Sequence, residues 1–182
     1  MPMVAPLYYT ADLVRALPDD GYRYELVDGE LLVSPSPRAW HQELVFRLAV
    51  ALWGYLQQQP VGHVVISPAD ISWTKHDLVQ PDVFVVPLNE ARTLEWAQMR
   101  HLLLVAEVLS PTTARADRFT KRRRYERAGV PLYWIVDGDE KRVEVWTPDR
   151  GEPVFEDMRI VWHPAGASAA QTVELSELFR PI

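Results

Sequence analysis

Residues 102–137, LLLVAEVLSPTTARADRFTKRRRYERAGVPLYWIVD, join two apolar runs through a charged segment with helical spacing. The first run, 102–108, is rich in Leu and Val on both faces until its glutamate, which is typical of a central strand. The segment 113–128 predicts a helix that the threonines before it can cap and that Gly129 ends. The second apolar run, 130–137, predicts the next strand.

Upstream, the segment YRYELVDGELLV (22–33) places Asp28 and Gly29 between two apolar runs, which is the strongest short-range hairpin signal. A long helix is predicted next, because Ser36 can cap it and Pro37 suits its first turn. Its apolar residues recur at helical spacing: Trp40, Leu44, Leu48, Ala51, Leu52 and Tyr55.

Further short strands are predicted at 63–74, 82–86 and 142–148, the last paired with the preceding run across a DGDEK turn. Residues 153–182 add another strand or two and a short helical turn near 175–179. Strands interrupted by one long helix, then strand, helix, strand and hairpin, describe a mixed sheet with helices packed against it. The predicted fold class is therefore α/β (α+β), with an N-terminal hairpin.

Composition limits the classes of protein that the chain can belong to. Its 182 residues suit one domain over 1–182, since domains commonly contain roughly 100–200 residues. The absence of cysteine excludes disulfides, thiolate metal sites and a cysteine nucleophile. No signal-peptide or membrane-spanning pattern is found, so a cytoplasmic protein without membrane contact is expected. The net charge of −6 means that any binding of nucleic acid must be local.

Two carboxylates stand where apolar strand residues would be expected. Glu107 ends the run LLLVAEV, where burying an unpaired carboxylate costs on the order of several kcal/mol. Asp82 follows Pro81 and begins the run DVFVV, so both carboxylates meet at one end of the sheet if their strands are neighbours. Such oxygen ligands suit Mg²⁺ or Mn²⁺, which can activate a water and polarise a phosphoryl oxygen.

The second predicted helix carries one stripe made of Ala114, Asp117, Lys121, Tyr125 and Ala128. Alanine and tyrosine at the ends of the stripe indicate that it faces the sheet. Asp117 and Lys121 then point inward, where the lysine could contact a scissile phosphate or an attacking water.

The same helix lies in the basic segment RADRFTKRRRYER (115–127), which has seven basic residues against two acidic ones. Its arginines could hold phosphates farther along a nucleic-acid strand. A solvated charged face is an equally good interpretation of this segment.

Several ordered motifs together resemble the Uma family, a restriction-type branch of the PD-(D/E)XK nuclease superfamily. They are YELVDGELLVSPSPRAWHQ, VQPDVFVV, AEVLSPTT and RADRFTKRRRYERAGVPLYWIVD, and they extend over roughly residues 20–147. The resemblance implies a restriction-endonuclease-like fold, a metal-dependent nuclease activity on DNA and a homodimer.

The resemblance also implies roles for single residues. Asp82 is similar to the superfamily's first metal-binding aspartate, and Glu107 to its second acidic ligand. The superfamily's lysine normally stands two residues after that acid, where this chain has Leu109. Lys121 instead matches the lysine that the family carries on the following helix, with Asp117 one turn before it.

Two further residues enter through the resemblance. Glu25 matches an acidic residue near the N-terminus that supports the metal, and His41 matches a histidine on the first long helix. Leu132 stands where family members often carry an acid, so no role is assigned there. From the residues alone, Glu25 could equally face solvent, and a lone His41 is more often a packing residue.

The other positions also have structural interpretations. Asp82 could be a turn residue after proline, Glu107 a partner for a buried arginine, and Asp117 with Lys121 a surface ion pair. Ser110 suits a turn better than a nucleophile. The aromatic residues of the late hairpin favour core or dimer contacts over base stacking: Tyr133, Trp134 and Trp146.

The leading hypothesis is a Mg²⁺- or Mn²⁺-dependent DNA endonuclease in which Asp82 and Glu107 hold the metal, with Lys121 and Glu25 completing the catalytic set. A second hypothesis is a module that keeps the nuclease scaffold but only binds DNA or a protein. A third is a hydrolase that uses Glu25 and Glu107 as an acid and base pair, as glycosidases do.

Overall fold

The computed structural model describes residues 8–182. Its helices are α1 (Ala11–Arg15), α2 (Ala39–Gln58), α3 (Leu88–Ala91), α4 (Arg122–Arg127) and α5 (Leu175–Leu178), with a 3₁₀ turn at Trp96–Gln98 and a π-helical segment at Ala116–Lys121 that runs into α4. Its strands are β1 (Arg23–Val27), β2 (Glu30–Ser34), β3 (His63–Ile66), β4 (Val83–Val86), β5 (Leu104–Val108), β6 (Tyr133–Asp137), β7 (Arg142–Trp146), β8 (Val154–Glu156), β9 (Arg159–Trp162) and β10 (Gln171–Glu174).

Within the described range, six strands form a central mixed sheet in the order β3-β4-β5-β6-β7-β8. β5 and β6 are parallel, and the other neighbours are antiparallel. The π-helical segment and α4 form the crossover that a parallel pair requires. β1 pairs with β2, and β9 with β10, in two smaller sheets. The predicted mixed sheet with flanking helices and an N-terminal hairpin is confirmed.

The two faces of the central sheet pack against different elements. Alternate residues such as Val83 and Ala106 face α2, which contributes Leu48 among others to that core. The intervening residues, including Phe84 and Val105, face the opposite way and pack in a second core with Tyr125 of α4. Because side chains alternate along a strand, Asp82 and Glu107 belong to this second face.

The hairpin turn forms as the sequence predicts. Asp28 and Gly29 have φ values of 51° and 83°, and positive φ at both central residues is the mark of the tight turn that suits a twisted hairpin. Gly129, with a φ of 78°, ends α4 as predicted.

Two predicted boundaries are wrong. Ser36 does not cap α2, which begins at Ala39, and the Ser36 hydroxyl instead donates a hydrogen bond to the carbonyl of Gly21. Ser36 precedes a proline, and such residues are biased away from helical geometry. The strand predicted at 63–74 ends at Ile66, because Pro68 lacks the N–H group that a ladder needs.

None of the helices within residues 8–182 is both long and apolar enough to cross a membrane.

Candidate active site

The neighbouring ends of β4 and β5 bring Asp82 and Glu107 together. Val83 pairs with Ala106 in this antiparallel ladder, which sets Asp82 opposite Glu107. The backbone N–H of Asp82 donates to Glu107 Oε2 at 3.3 Å, and the N–H of Val108 donates to Asp82 Oδ2 at 2.9 Å. Both carboxylates are buried, so the strand ends form a closed acidic corner.

The π-helical segment between β5 and β6 places Lys121 in this corner. Its Nζ lies 2.5 Å from Glu107 Oε1, 3.1 Å from Glu25 Oε1 and 3.7 Å from Asp117 Oδ1. Lys121 and Asp117 are each 2% exposed, so they do not form the surface ion pair that was the alternative interpretation. The inward stripe predicted for this helix is present, and Tyr125 continues it by donating its hydroxyl to Glu107 Oε1 at 2.7 Å.

Glu25 comes from β1 of the hairpin. β1 is held by hydrogen bonds between Leu26 and Leu78, and the N–H of Gln80 donates to Glu25 Oε1 at 2.8 Å. Glu25 is 4% exposed, which excludes the interpretation that it faces solvent. The structure therefore gathers three carboxylates, from β1, β5 and the π-helical segment, around one ammonium group, with Asp82 opposite Glu107.

Arg23 is a member of this cluster that the sequence analysis missed. Its Nη1 donates to Asp82 Oδ1 at 2.9 Å, and its Nη2 donates to the hydroxyl of Ser67 at 3.3 Å. Arg23 and Glu25 are two residues apart on one strand and so share a face, a spacing that could have signalled the arginine.

His41, on the first turn of α2, also reaches Asp82. Its Nε2 lies 3.1 Å from Asp82 Oδ2. Burial alone would lower the pKa of His41, but the hydrogen bond and charge of Asp82 outweigh burial and raise this pKa above its ordinary value. His41 therefore contacts the acid directly and does not only pack.

The pKa values of the carboxylates in this cluster shift in opposite directions. Burial alone would raise the pKa of Asp82, but the hydrogen bond from His41 and the charges of His41 and Arg23 hold it well below its usual range. For Glu107, burial and the neighbouring carboxylates outweigh Lys121 and raise its pKa well above the ordinary value. Burial likewise raises the pKa of Asp117 to about 6, despite Lys121.

The same surroundings also shift the pKa of Lys121. Burial by itself would lower its pKa, but Glu107, Glu25 and Asp117 together raise that pKa above the ordinary value. The ammonium therefore stays charged across the physiological range, as a group that orients a phosphate or a water must.

The cluster suits a divalent cation in donor type and in charge. Its acids offer only oxygen ligands, and four carboxylates outnumber the basic groups Lys121, Arg23 and His41. Within residues 8–182, however, no three acidic or histidine side chains are already arranged as a metal-binding group. A cation here would take one or two carboxylates and complete its shell with water and phosphate, as Mg²⁺ prefers.

The basic segment 115–127 is largely ion-paired. Arg118 Nε lies 2.6 Å from Glu144 Oε1, Arg124 Nη2 lies 2.9 Å from Asp77 Oδ2, and Arg127 pairs with Asp28. These contacts neutralise much of the charge that the sequence places there. In the late hairpin, Tyr133 and Trp134 are buried in the core, in line with the packing interpretation.

A mixed sheet with two adjoining strand-end carboxylates and a buried lysine on the crossover helix places the protein in the class of restriction-endonuclease-like folds. A solved structure described as "a putative nuclease belonging to DUF820", from Anabaena variabilis ATCC 29413, superposes with a TM-score of 0.77 at 20% identity. The alignment covers 93% of this chain and 97% of that one, which establishes the fold.

The chain belongs to the Uma2 family, described as "Putative restriction endonuclease", whose model matches residues 11–176. The resemblance seen in the sequence motifs is confirmed. A comparison with curated proteins finds no match.

Proposed function

We propose that this protein is a metal-dependent endonuclease that hydrolyses phosphodiester bonds in DNA. The observation that supports this proposal is the convergence of Asp82, Glu107 and Lys121 within one buried cluster, from two strands and the helix between β5 and β6. The family match and the nuclease fold point to the same class of reaction and to a nucleic-acid substrate.

Asp82 and Glu107 would hold the cation, Mg²⁺ or Mn²⁺, because they lie at adjoining strand ends and offer hard oxygen ligands. When bound, such a cation lowers the pKa of a coordinated water and polarises a phosphoryl oxygen. Glu107 Oε2 accepts only a long hydrogen bond, 3.3 Å from the N–H of Asp82, so it is the oxygen most readily given to a cation.

Lys121 would orient the attacking water or steady the phosphate through its permanent positive charge. Glu25 fixes the position of this ammonium at 3.1 Å and so assists the metal-binding acids indirectly. Asp117 and His41 have positioning roles in this proposal, since the first contacts Lys121 and the second contacts Asp82.

The first experiment measures cleavage of plasmid, single-stranded DNA and RNA with Mn²⁺, with Mg²⁺ and with chelator. Wild-type protein should cleave DNA only with metal. Asp82→Asn should lose on the order of 100-fold or more in rate, since it removes a metal ligand. Asp12→Asn, an exposed acid on α1, is the matched control and should cleave normally. Full activity of Asp82→Asn, or cleavage that ignores chelator, would refute the proposal.

A second variant separates the roles of lysine and metal. Lys121→Met keeps an unbranched stem that reaches as far as the Cε of lysine but removes the ammonium group, so cleavage should be abolished. Binding of Mn²⁺, followed by calorimetry, should be kept or strengthened, because a positive charge has left an acidic cluster. Lys75→Met, at an exposed lysine, is the control. Wild-type-like cleavage by Lys121→Met would remove Lys121 from the mechanism.

The non-catalytic module is favoured by one observation, namely that both oxygens of Asp82 already accept hydrogen bonds from protein groups, Arg23, His41 and Val108. Such a module would bind DNA without cleaving it under any metal condition. The hydrolase with Glu25 and Glu107 as acid and base is less well supported, because Lys121 lies between those carboxylates.

We also propose that the enzyme acts in the cytoplasm as a homodimer, the commonest symmetric assembly and one that supplies two sites for cutting two strands. Light scattering coupled to size-exclusion chromatography tests the dimer, which a monomer at cleavage-active concentrations would contradict.

A further inference from the structure

A basic cavity of about 180 Å³ lies directly beside the acidic corner. Arg23 and His41, the two side chains that hold Asp82, form part of its wall. The other polar groups of the wall are one more arginine and a set of hydroxyls, namely Arg38, Ser34, Ser36, Ser110, Thr112 and Thr113. Arg23 already donates to Asp82 and Ser67, and Ser36 donates to the carbonyl of Gly21. The guanidinium of Arg38 is therefore the charged donor that this cavity offers to a phosphate.

Arg38 is the cation of this cavity with the most capacity to bind a ligand. Among residues 8–182 its side chain has no ion-pair partner, and it is exposed. Arg38 also directly precedes α2, a helix of 20 residues. Among the described residues, no side chain caps the first turn of this helix. The free N–H groups of such a turn add to the attraction of the arginines for an anion.

A second cavity, of about 230 Å³, adjoins the first and has different chemistry. It shares Arg38, His41, Ser110 and Pro111 with the basic cavity. Beyond these its wall is mostly apolar, with Trp40, Leu44, Val108, Leu109 and Gly138, and it has one acid, Asp139. A Cβ on Gly138 would lie 2.6 Å from Leu44 and 2.9 Å from Trp40, so the wall is closely fitted there.

We infer that the two cavities form a subsite for one unstacked nucleotide, with its phosphate in the basic cavity and its base against Trp40 in the apolar cavity. The inference rests on the proposed function, because it describes how the nuclease holds its substrate. A base paired within a duplex is stacked on its neighbours and cannot enter a side pocket, whereas a free base packs well on an aromatic side chain. The subsite therefore takes a nucleotide whose base is unpaired or has been turned out of the duplex beside the cleavage centre.

The test uses full-length protein in chelator, so that hydrolysis cannot interfere. Calorimetry compares 2′-deoxyadenosine 5′-monophosphate, inorganic phosphate and 2′-deoxyadenosine. The monophosphate should bind roughly 10-fold or more tightly than phosphate, since a stacked base adds affinity. Arg38→Gln should weaken monophosphate and phosphate alike by roughly 10-fold, while Arg92→Gln, at an exposed arginine that lines neither cavity, should not.

Substitutions in the apolar cavity test how much the base contributes to binding, separately from the phosphate. Trp40→Leu should bring the monophosphate down to the affinity of phosphate and leave phosphate itself unchanged. Gly138→Ala, which displaces Trp40 and Leu44, should act in the same direction if Trp40→Leu proves unstable. Trp53→Leu, at a tryptophan that is 53% exposed on the same helix, is the control.

Equal affinities for monophosphate and phosphate in the wild type, or an unchanged monophosphate affinity in a folded Trp40→Leu, would overturn the base site. An unchanged phosphate affinity in Arg38→Gln would overturn the phosphate site. These results do not depend on metal-dependent cleavage, so the failure of the subsite and the failure of the nuclease proposal are distinguishable.

Discussion

The two faces of the central sheet differ in what they hold. The face toward α2 is entirely apolar around Val83, Val85 and Ala106. The opposite face begins with Phe84 and Val105 but ends in buried carboxylates. Neighbouring residues of the same two strands thus supply a stabilising core on one side and a charged cluster on the other. This difference shows that alternation along two strands can place apolar residues on one face of a sheet and buried charges at the end of the other.

Burying the charged cluster at the end of the second face, called the charged face below, costs free energy. Replacing buried ion pairs by apolar residues is often neutral or stabilising, whereas removing one partner leaves an uncompensated charge. A cluster of four carboxylates with Lys121 and Arg23 is therefore weak as a device for stability. Its burial is better explained by a chemical role.

The largest stability effect is expected on the charged face. Lys121→Ala should destabilise the protein by about 4 kcal/mol, because three contacting carboxylates lose their counter-ion. Adding Glu107→Gln should restore part of this loss, with a coupling of about 1–3 kcal/mol. Urea denaturation of the single and double variants measures both quantities, and strictly additive effects would show that the pair is not coupled.

A somewhat smaller loss is expected on the apolar face. Leu48→Ala should cost about 3 kcal/mol, since Leu48 is fully buried against the sheet and a cavity remains. The cleavage rate per folded molecule should not change. Phe46→Ala, at a side chain that is 63% exposed on the same helix, is the control and should have little effect. A catalytic defect in folded Leu48→Ala would break the separation of the two faces.

The charged face also predicts a pH dependence. Because the pKa of Asp117 is raised from 3.8 to about 6, the folded state holds this proton more tightly than the unfolded chain does. Its contribution to stability is therefore present below about pH 4 and is lost as pH rises to about 6, by roughly 3 kcal/mol.

Asp117→Asn cannot titrate, so its stability should rise relative to wild type between pH 4 and 6. Denaturation at several pH values measures the difference. Asp12→Asn is the exposed control, and parallel curves for Asp117→Asn and wild type would contradict the expected titration.

The smallest effect on stability is expected at an ion pair that lies outside both faces of the central sheet. Arg127 and Asp28 form an exposed ion pair, with side chains that are 55% and 51% exposed. Arg127→Gln should change stability by less than about 1 kcal/mol, as exposed pairs usually do. Thermal denaturation at low and high salt measures this change, and a larger loss would mean that the hairpin depends on this contact.

Much of the fold could be predicted from sequence because its signals are local. The apolar runs of β4, β5 and β6, the helical period of α2 and the turn at Asp28 and Gly29 all appear in the structure as predicted. α1 and α3 were not predicted, since helices of 5 and 4 residues are too short to show a period. The start of α2 was misplaced because the prolines before it outweigh a capping serine.

The candidate site was predictable only in part. Asp82 and Glu107 could be placed together from strand order, and Lys121 from the helical stripe. The spacing of Arg23 and Glu25 could have placed the arginine on the same face as the glutamate, but its pairing with Asp82 depends on how the hairpin docks on the sheet. The same holds for the acids that neutralise the arginine-rich helix, because they come from distant parts of the chain.

The π-helical segment Ala116–Lys121 has a consequence for how the chain can vary in length. Such segments close hydrogen bonds between residues five apart, where an α-helix spans four. Each residue of an α-helix turns the chain by about 100°, so deleting one residue between the sheet and Lys121 would turn this side chain away from Glu107 unless the helix itself shifted. We therefore expect an insertion or deletion in this helix to disrupt the cluster, and one in a surface turn to be tolerated. The position of the lysine depends on the number of residues before it as much as on its identity.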